Sequence, residues 1–314
     1  MSSTLEELKE KILVLNTQLW ENKKTWPQIQ QWLDNFTGQV STREGEQLHA
    51  LYLLSHFLYF GSREIRELLR SLFQDLVLYP ILSEIRVKMA NGTSLDSFKQ
   101  AVTNELQNTR FLGVGNPSES GCHLLYFFRQ ENQLPKDLFC ETHKIFQRGT
   151  GGARSAREPT VTRYVFIDDL CGSGTQAEGY SRDLIEEINN LAPNAKTYYF
   201  PLFATFGGLD HVRRNTKFSG VDTVFELDQS YKLFARESRV LADLPSDLDQ
   251  PTFEKMVSHY GELLCPGDGL GFENGQLMLG FHHNTPDNTL PIFWYSETSG
   301  PKWTPIFRRY PKIY

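Results

Sequence analysis

The segment Tyr164–Ile188, YVFIDDLCGSGTQAEGYSRDLIEEI, constrains the fold of this 314-residue chain more than any other. An apolar run with strand character ends in two adjacent carboxylates, Asp168 and Asp169. Gly172, Ser173, Gly174 and Thr175 then turn the chain straight into an amphipathic helical pattern. A strand that passes to a helix through small residues is one half of a right-handed crossover, and so predicts a parallel sheet. In such sheets ligands bind beyond the carboxyl ends of the strands. Small residues at a helix N-terminus let backbone N–H groups close around a phosphate, where the helix dipole favours negative charge. The Ser173 and Thr175 hydroxyls add donors. Two carboxylates beside an anion site would repel it, and their natural use is on sugar hydroxyls or on a Mg²⁺ that the ligand carries. The pattern asks for a ribose 5-phosphate; the plain alternative is a glycine-rich strand–turn–helix corner.

The rest of the chain sorts into three segments. Residues 1–107 read as helices. Thr4 and Glu7 have capping-box spacing ahead of Leu8, Ile12, Leu15 and Leu19. Pro27 suits the first turn of a second helix, with Ile29, Trp32, Leu33 and Phe36 on one face. Ser41 and Glu44 are a further capping box before an apolar stretch to Phe60. A long helical pattern then runs from Ser62 to about Met89, with a bend expected at Pro80, and Ser94 to Gln107 makes one more helix.

Residues 108–228 alternate strands with helices. Phe111–Gly115, Thr162–Ile167, Thr197–Phe206 and Val221–Leu227 read as strands, which predicts an α/β core with a mostly parallel sheet. Residues 229–314 form an α+β extension, expected to complete the core or its hood. It has helices expected over Tyr231–Leu241 and Thr252–Leu264, then a strand–turn–strand in LMLGFHHNTPDNTLPIFW.

Composition excludes several classes. Hydrophobic residues at 39% and charged residues at 22% are globular values, and a net charge of −6 argues against broad nucleic-acid binding. Cys122, Cys140, Cys171 and Cys265 lie far apart with no metal-ligand spacing, as expected of reduced thiols in the cytoplasm. No apolar run approaches a membrane span, and the charged start MSSTLEELKEKILVL does not read as a signal peptide. No glycine loop is followed by Lys-Ser/Thr, and no G-x-S-x-G elbow occurs.

The Asp-Asp-containing segment resembles the phosphoribosyl-pyrophosphate loop of type I phosphoribosyltransferases. The resemblance implies that Asp168 and Asp169 hold the ribose hydroxyls and a Mg²⁺, and that Gly172, Ser173, Gly174, Thr175 and Gln176 hold the 5-phosphate. The family's later threonine falls on Gln176. Gly172 stands where some purine-using members carry an acid. Asn116–Gly121, with Ser118, Glu119, Ser120 and Gly121, occupies the place of the pyrophosphate-contacting loop, or is a plain βα connection. The basic stretch QRGTGGARSARE (Gln147–Glu158), with Arg148, Arg154 and Arg157, is either a mobile lid over a pyrophosphate or a solvated linker.

A wider resemblance spans most of the chain. The helical front end, the Ser118–Gly121 loop before LLYFFR, IDDLCGSGT and the tail HNTPDNTLPIFW are similar to the phosphoribosyltransferase-like effector family of bacterial conflict systems, some of them associated with retrons. This implies a cytoplasmic anti-phage effector acting on phosphoribosyl pyrophosphate or ribonucleotides. It also implies a protein partner in a defence complex, such as a retron reverse transcriptase with its nucleic acid, and no membrane. The alternatives are a non-catalytic nucleotide-sensing or docking subunit, and ribosyl transfer onto nucleic acid or protein. In the tail, His283 and Asn284 are the residues chosen for the acceptor side or for acid–base work; a well-bonded hairpin turn is the plain reading of the same residues.

Overall fold

The alternating strands and helices in the middle of the chain do build a parallel sheet. The computed structural model describes residues 3–89, 94–115, 120–149, 151–296 and 300–310. Its elements run α1 (Ser3–Gln18), α2 (Trp26–Leu33), α3 (Arg43–Leu54), β1 (Leu58–Phe60), α4 (Ser62–Ser71), α5 (Tyr79–Lys88) and α6 (Leu95–Gln107). Next come β2 (Thr109–Gly113), α7 (Ser120–Glu131), β3 (Phe146–Arg148), β4 (Arg154–Ala156), β5 (Arg163–Cys171), α8 (Thr175–Leu191), β6 (Lys196–Thr205) and α9 (Phe206–Asn215). The last are β7 (Gly220–Val221), β8 (Phe225–Leu227), α10 (Gln250–Leu264), β9 (Leu279–Phe281) and α11 (Pro291–Trp294).

The chain divides into two compact units that cut across the three sequence segments: Arg66–Leu227 is one, and Met1–Ile65 with Asp228–Tyr314 is the other. The second grouping follows from the aromatic faces of the front-end helices, which are closed by residues near the C-terminus. The Trp32 ring stacks on Phe293 at 5.7 Å, its indole N–H donates to the Ile292 carbonyl at 2.8 Å, and Trp20 meets Phe307 edge-on at 5.4 Å.

In the unit Arg66–Leu227, β2, β5 and β6 lie side by side in parallel, with β7 and β8 both on the outer edge of β6. Phe111 stands opposite Val165, and Val165 opposite Tyr198. The single strand expected over Val221–Leu227 is thus split. Pro201 of β6 has no N–H to offer a neighbour, and the Thr223 hydroxyl bonds instead to the Pro201 and Leu202 carbonyls at 3.0 and 3.2 Å. Tyr164, Phe166, Tyr199, Ile185, Ile188, Leu209 and Val212 form a core in which sheet, α8 and α9 residues meet.

Several sequence expectations are corrected. Thr4 lies inside α1 and donates to Asp247 rather than capping, while the cap of α3 is Thr42, one residue after Ser41. The carboxylate that reaches back belongs to Glu46, which accepts from the Gly38, Val40 and Ser41 N–H groups. Helix α3 stops at Leu54, and Leu58–Phe60 becomes a strand because it finds a parallel partner in β9, Leu58 opposite Leu279. The long helix to Met89 is interrupted by a π-helical stretch, Leu72–Leu78, just before Pro80, which has no N–H to donate. Tyr231–Leu241 is a loop, not a helix: Arg239 folds back onto the Ser230 hydroxyl and lies 3.5 Å over the Tyr231 ring. After β9 no second strand forms; Pro291 opens the short helix α11, its fixed φ suited to a helical first turn.

Candidate phosphate-binding site

Strand β5 runs four residues past the expected Ile167, so Asp168 and Asp169 lie within it, and the alternation of a strand turns them to opposite faces. Asp168 is buried, 6% exposed. Its Oδ2 accepts from the Tyr199 hydroxyl at 3.1 Å, and its Oδ1 from the Asp169 N–H at 3.0 Å. Burial first, and then the Asp168 charge, push the Tyr199 phenol well above its ordinary value. The same two causes take the Cys171 thiol to about 12. Both groups therefore remain protonated, and the Tyr199 hydroxyl is the donor to the carboxylate. Asp169 is partly exposed, with Oδ1 accepting the Leu170 N–H at 2.8 Å. Asp169 is the carboxylate more open to a ligand.

The turn beyond them is held from behind. Gly174 caps α8 with φ +85°, a left-handed conformation, and a Cβ there would come within 2.8 Å of the Gly208 carbonyl oxygen. Thr205 closes the other side. Its hydroxyl donates to the Gly172 carbonyl at 2.5 Å and accepts from the Gly208 N–H at 2.9 Å, capping α9. A Cβ on Gly208 would sit 2.3 Å from the Gly172 oxygen, so loop and helix start pack backbone against backbone. The Ser173 and Thr175 hydroxyls bond to one another at the mouth of the turn. Seventeen residues of α8 begin here, and the positive end of their dipole lies at the loop. Glu178, in the first turn, is engaged by His211 at 2.8 Å and Arg182 at 2.9 Å, which hold its carboxyl below the usual range.

The expected basic lid is a short antiparallel hairpin of β3 and β4. Arg148 and Arg157 are exposed. Arg154 lies 4.8 Å over the Phe146 ring and pairs with Glu187 at 2.9 Å. Glu187 is twelve residues along α8 from Thr175, a rise of roughly 18 Å from the phosphate turn. Of the proposed pyrophosphate loop, Asn116–Glu119, with Ser118 and Glu119, lies outside the described residues, and Ser120 and Gly121 open α7.

His283 and Asn284 belong to the other unit. There the Asn284 side-chain oxygen accepts from the Thr285 and Tyr310 N–H groups at 3.0 and 2.9 Å, and Asp287 pairs with Arg309 at 2.7 Å. The sequence reading missed Tyr199, Thr205 and Gly208. Only the last two left a trace, as a hydroxyl and small residues (Thr205-Phe206-Gly207-Gly208) where β6 turns into α9.

Among the described residues no group of three His, Cys, Asp or Glu side chains is placed to hold a metal ion. Of the two carboxylates on opposite faces of β5, the more open Asp169 is the one that suits Mg²⁺, a hard cation commonly held by one or two carboxylates together with substrate phosphate oxygens.

Residues 29–309 match the family described as PRTase-CE. The chain belongs to the PRTase-CE family. That membership, with the parallel α/β sheet and its Asp-Asp-glycine turn, makes it a phosphoribosyltransferase-like protein. No curated protein matches the sequence. Among solved structures it is similar to the orotate phosphoribosyltransferase of Aeropyrum pernix, with 14% identity, a TM-score of 0.24, and coverage of 50% of this chain and 76% of that one. A protein from Aquifex aeolicus has 13% identity, a TM-score of 0.30, and coverage of 65% and 86%. The Helicobacter pylori xanthine-guanine-hypoxanthine phosphoribosyltransferase has 12% identity, a TM-score of 0.22, and coverage of 43% and 89%. Among the described residues no helix of this PRTase-CE protein is long and apolar enough to cross a membrane.

Proposed function

We propose that this PRTase-CE protein binds phosphoribosyl pyrophosphate or a ribonucleotide through Gly172–Gln176 and acts on the bond at ribose C1 as the effector of an anti-phage defence complex. The observation that carries the reading is the left-handed Gly174 turn, fused to the start of α8 directly beyond Asp168 and Asp169. It offers donors for a 5-phosphate and, a few residues upstream, acceptors for ribose hydroxyls. Asp169, partly exposed, takes a hydroxyl, while Asp168 is oriented by Tyr199. A Mg²⁺ carried on the pyrophosphate, with Asp169 as its protein carboxylate, would neutralise the leaving group's charge. In the forward direction the C1–oxygen bond breaks with its electron pair leaving on pyrophosphate, and the acceptor's lone pair forms the new bond to C1. With Gly172 where an acid would stand, the site relies on positioning and electrostatics. The helical front end is the surface offered to a protein partner.

Titration calorimetry with phosphoribosyl pyrophosphate and Mg²⁺ tests the site. Asp169→Asn and Thr175→Val should each weaken binding tenfold or more, about 1.4 kcal/mol. Unchanged affinity would remove the assignment. Mass-spectrometric profiling of nucleotides in cells expressing wild type or Asp168→Asn/Asp169→Asn tests turnover: a pool drained only by wild type names the reaction, and binding without any drain makes the protein a sensor. Equal phage plating on the two strains, each carrying the native neighbouring genes, would remove the defence role.

A further inference from the structure

The unit formed by Met1–Ile65 and Asp228–Tyr314 contains a cavity of about 280 Å³, toward the small end for a ligand pocket. Lys23, Lys24, Tyr59, His282, Asn284 and Arg308 all line it, so three side chains that carry fixed or near-fixed positive charge converge on one opening.

Their partners decide what the cavity wants. Lys23 is already compensated: it pairs with Glu21 at 2.8 Å and donates to the Tyr59 hydroxyl at 3.1 Å. Lys24 and Arg308 form no ion pair with a carboxylate among the described residues. The half-buried Lys24 ammonium sits 4.8 Å over the Phe307 ring. Burial first, then the charges of Arg308 and Lys23, lower it to about 8. A cation kept half-buried beside another cation is a standing cost that an anion would remove. Around these charges the polar lining is donor-rich. The Asn284 side-chain oxygen is taken by two backbone N–H groups, so its NH₂ end is the part left for a ligand. The Tyr59 oxygen accepts from Lys23, which leaves its O–H to donate.

We propose that this cavity is a second ligand site, separate from the Gly172–Gln176 turn, that takes a small phosphate-bearing molecule with its phosphate between Lys24 and Arg308. The cavity has room for inorganic phosphate or a compact phosphate monoester. Donor groups and two cations without an ion pair among the described residues are the chemistry that recognises either.

Lys24 itself reports on the site. Acetic anhydride labels an amine in proportion to its unprotonated fraction, so near pH 8 Lys24 should react faster than the exposed lysines of the same chain. Labelling is read by peptide mass spectrometry on the full protein, with inorganic phosphate, ribose 5-phosphate, or sodium chloride at matched ionic strength. The proposal expects a several-fold loss of Lys24 labelling with a phosphate species and none with chloride, and whichever species protects at lower concentration identifies the source. Protection should vanish in Arg308→Gln, an exposed position, and persist in Asp169→Asn. No protection by either species overturns the proposal, as does equal protection by chloride or protection surviving Arg308→Gln. Protection abolished by Asp169→Asn would assign the effect to the other site and overturn it too.

Discussion

The Tyr199 hydroxyl donates to Oδ2 of Asp168 across 3.1 Å, thirty-one residues away in sequence and one strand away in the sheet. The bond sets the orientation of a buried carboxylate at the strand end, just before the Gly172–Thr175 turn. Asp168 is therefore held in a fixed position, while Asp169 is the more exposed of the two.

Tyr199→Phe keeps the ring and removes only the donor. A hydrogen bond to a charged group is worth about 1.5–3 kcal/mol, so urea unfolding should show a loss of that order. The phenol's folded value is raised, so its contribution to stability is fully present below about pH 10, where the unfolded chain's tyrosines titrate, and is lost as pH climbs toward the folded value. The wild-type and Tyr199→Phe stability curves should thus converge in strong alkali.

Two glycines near the turn should respond in opposite directions. Gly174→Ala forces a Cβ against the Gly208 carbonyl at a left-handed φ, which should cost about 1–3 kcal/mol and weaken phosphate binding. Gly179, exposed in α8 with nothing near its missing Cβ, gains helix propensity on Gly179→Ala, about 0.5–1 kcal/mol. Thermal unfolding of the pair separates backbone geometry from mere loss of glycine.

Thr205→Val removes both the α9 cap and the bond to Gly172. Loss of a cap costs about 1 kcal/mol, with the unpaired carbonyl adding a similar amount. Affinity for phosphoribosyl pyrophosphate should fall with it. Thr205→Ser keeps the hydroxyl and should restore both.

Lys24→Met should stabilise the protein at neutral pH. Lowering from 10.5 to about 8 means that the charge costs the folded state of order 1–3 kcal/mol wherever it is held. The penalty is complete below pH 8 and fades between 8 and 10.5, because there the unfolded chain binds the proton that the folded chain has released. The advantage of Lys24→Met in denaturant unfolding should shrink over that window.

Glu187→Gln should release Arg154 from α8 at little cost in stability, about 0–1 kcal/mol for so exposed a pair. If the hairpin arginines serve the pyrophosphate, affinity for the donor rises in this variant. An unchanged affinity leaves Arg154 a helix-pairing residue.

What the sequence made legible was local. Asp168, Asp169 and the Gly172–Thr175 turn lie within eight consecutive residues, and the strand–turn–helix geometry follows from their order alone. The residues that brace them, Tyr199, Thr205 and Gly208, come from the next strand and helix, and reach the site only through the parallel register of β5 and β6. The same distinction explains Leu58–Phe60, an apolar run whose helical reading fails because a partner strand waits more than two hundred residues away. Tyr231–Leu241 has helical spacing, but Arg239 closing on Ser230 and Tyr231 supplies a competing set of bonds. Pro80 marked an interruption of the helical pattern, since a missing N–H acts wherever the chain goes.

The pairing of Trp20 and Trp32 with Phe307 and Phe293 has a consequence for the order of events on the ribosome. Trp32 and Trp20 emerge before the rings that cover them, which come 261 and 287 residues later. At roughly 5–20 residues per second that interval is about 13–57 s, during which Arg66–Leu227 is fully made and free to fold. For that time the newborn chain carries uncovered tryptophans ahead of Arg66–Leu227, a natural hold point for a chaperone.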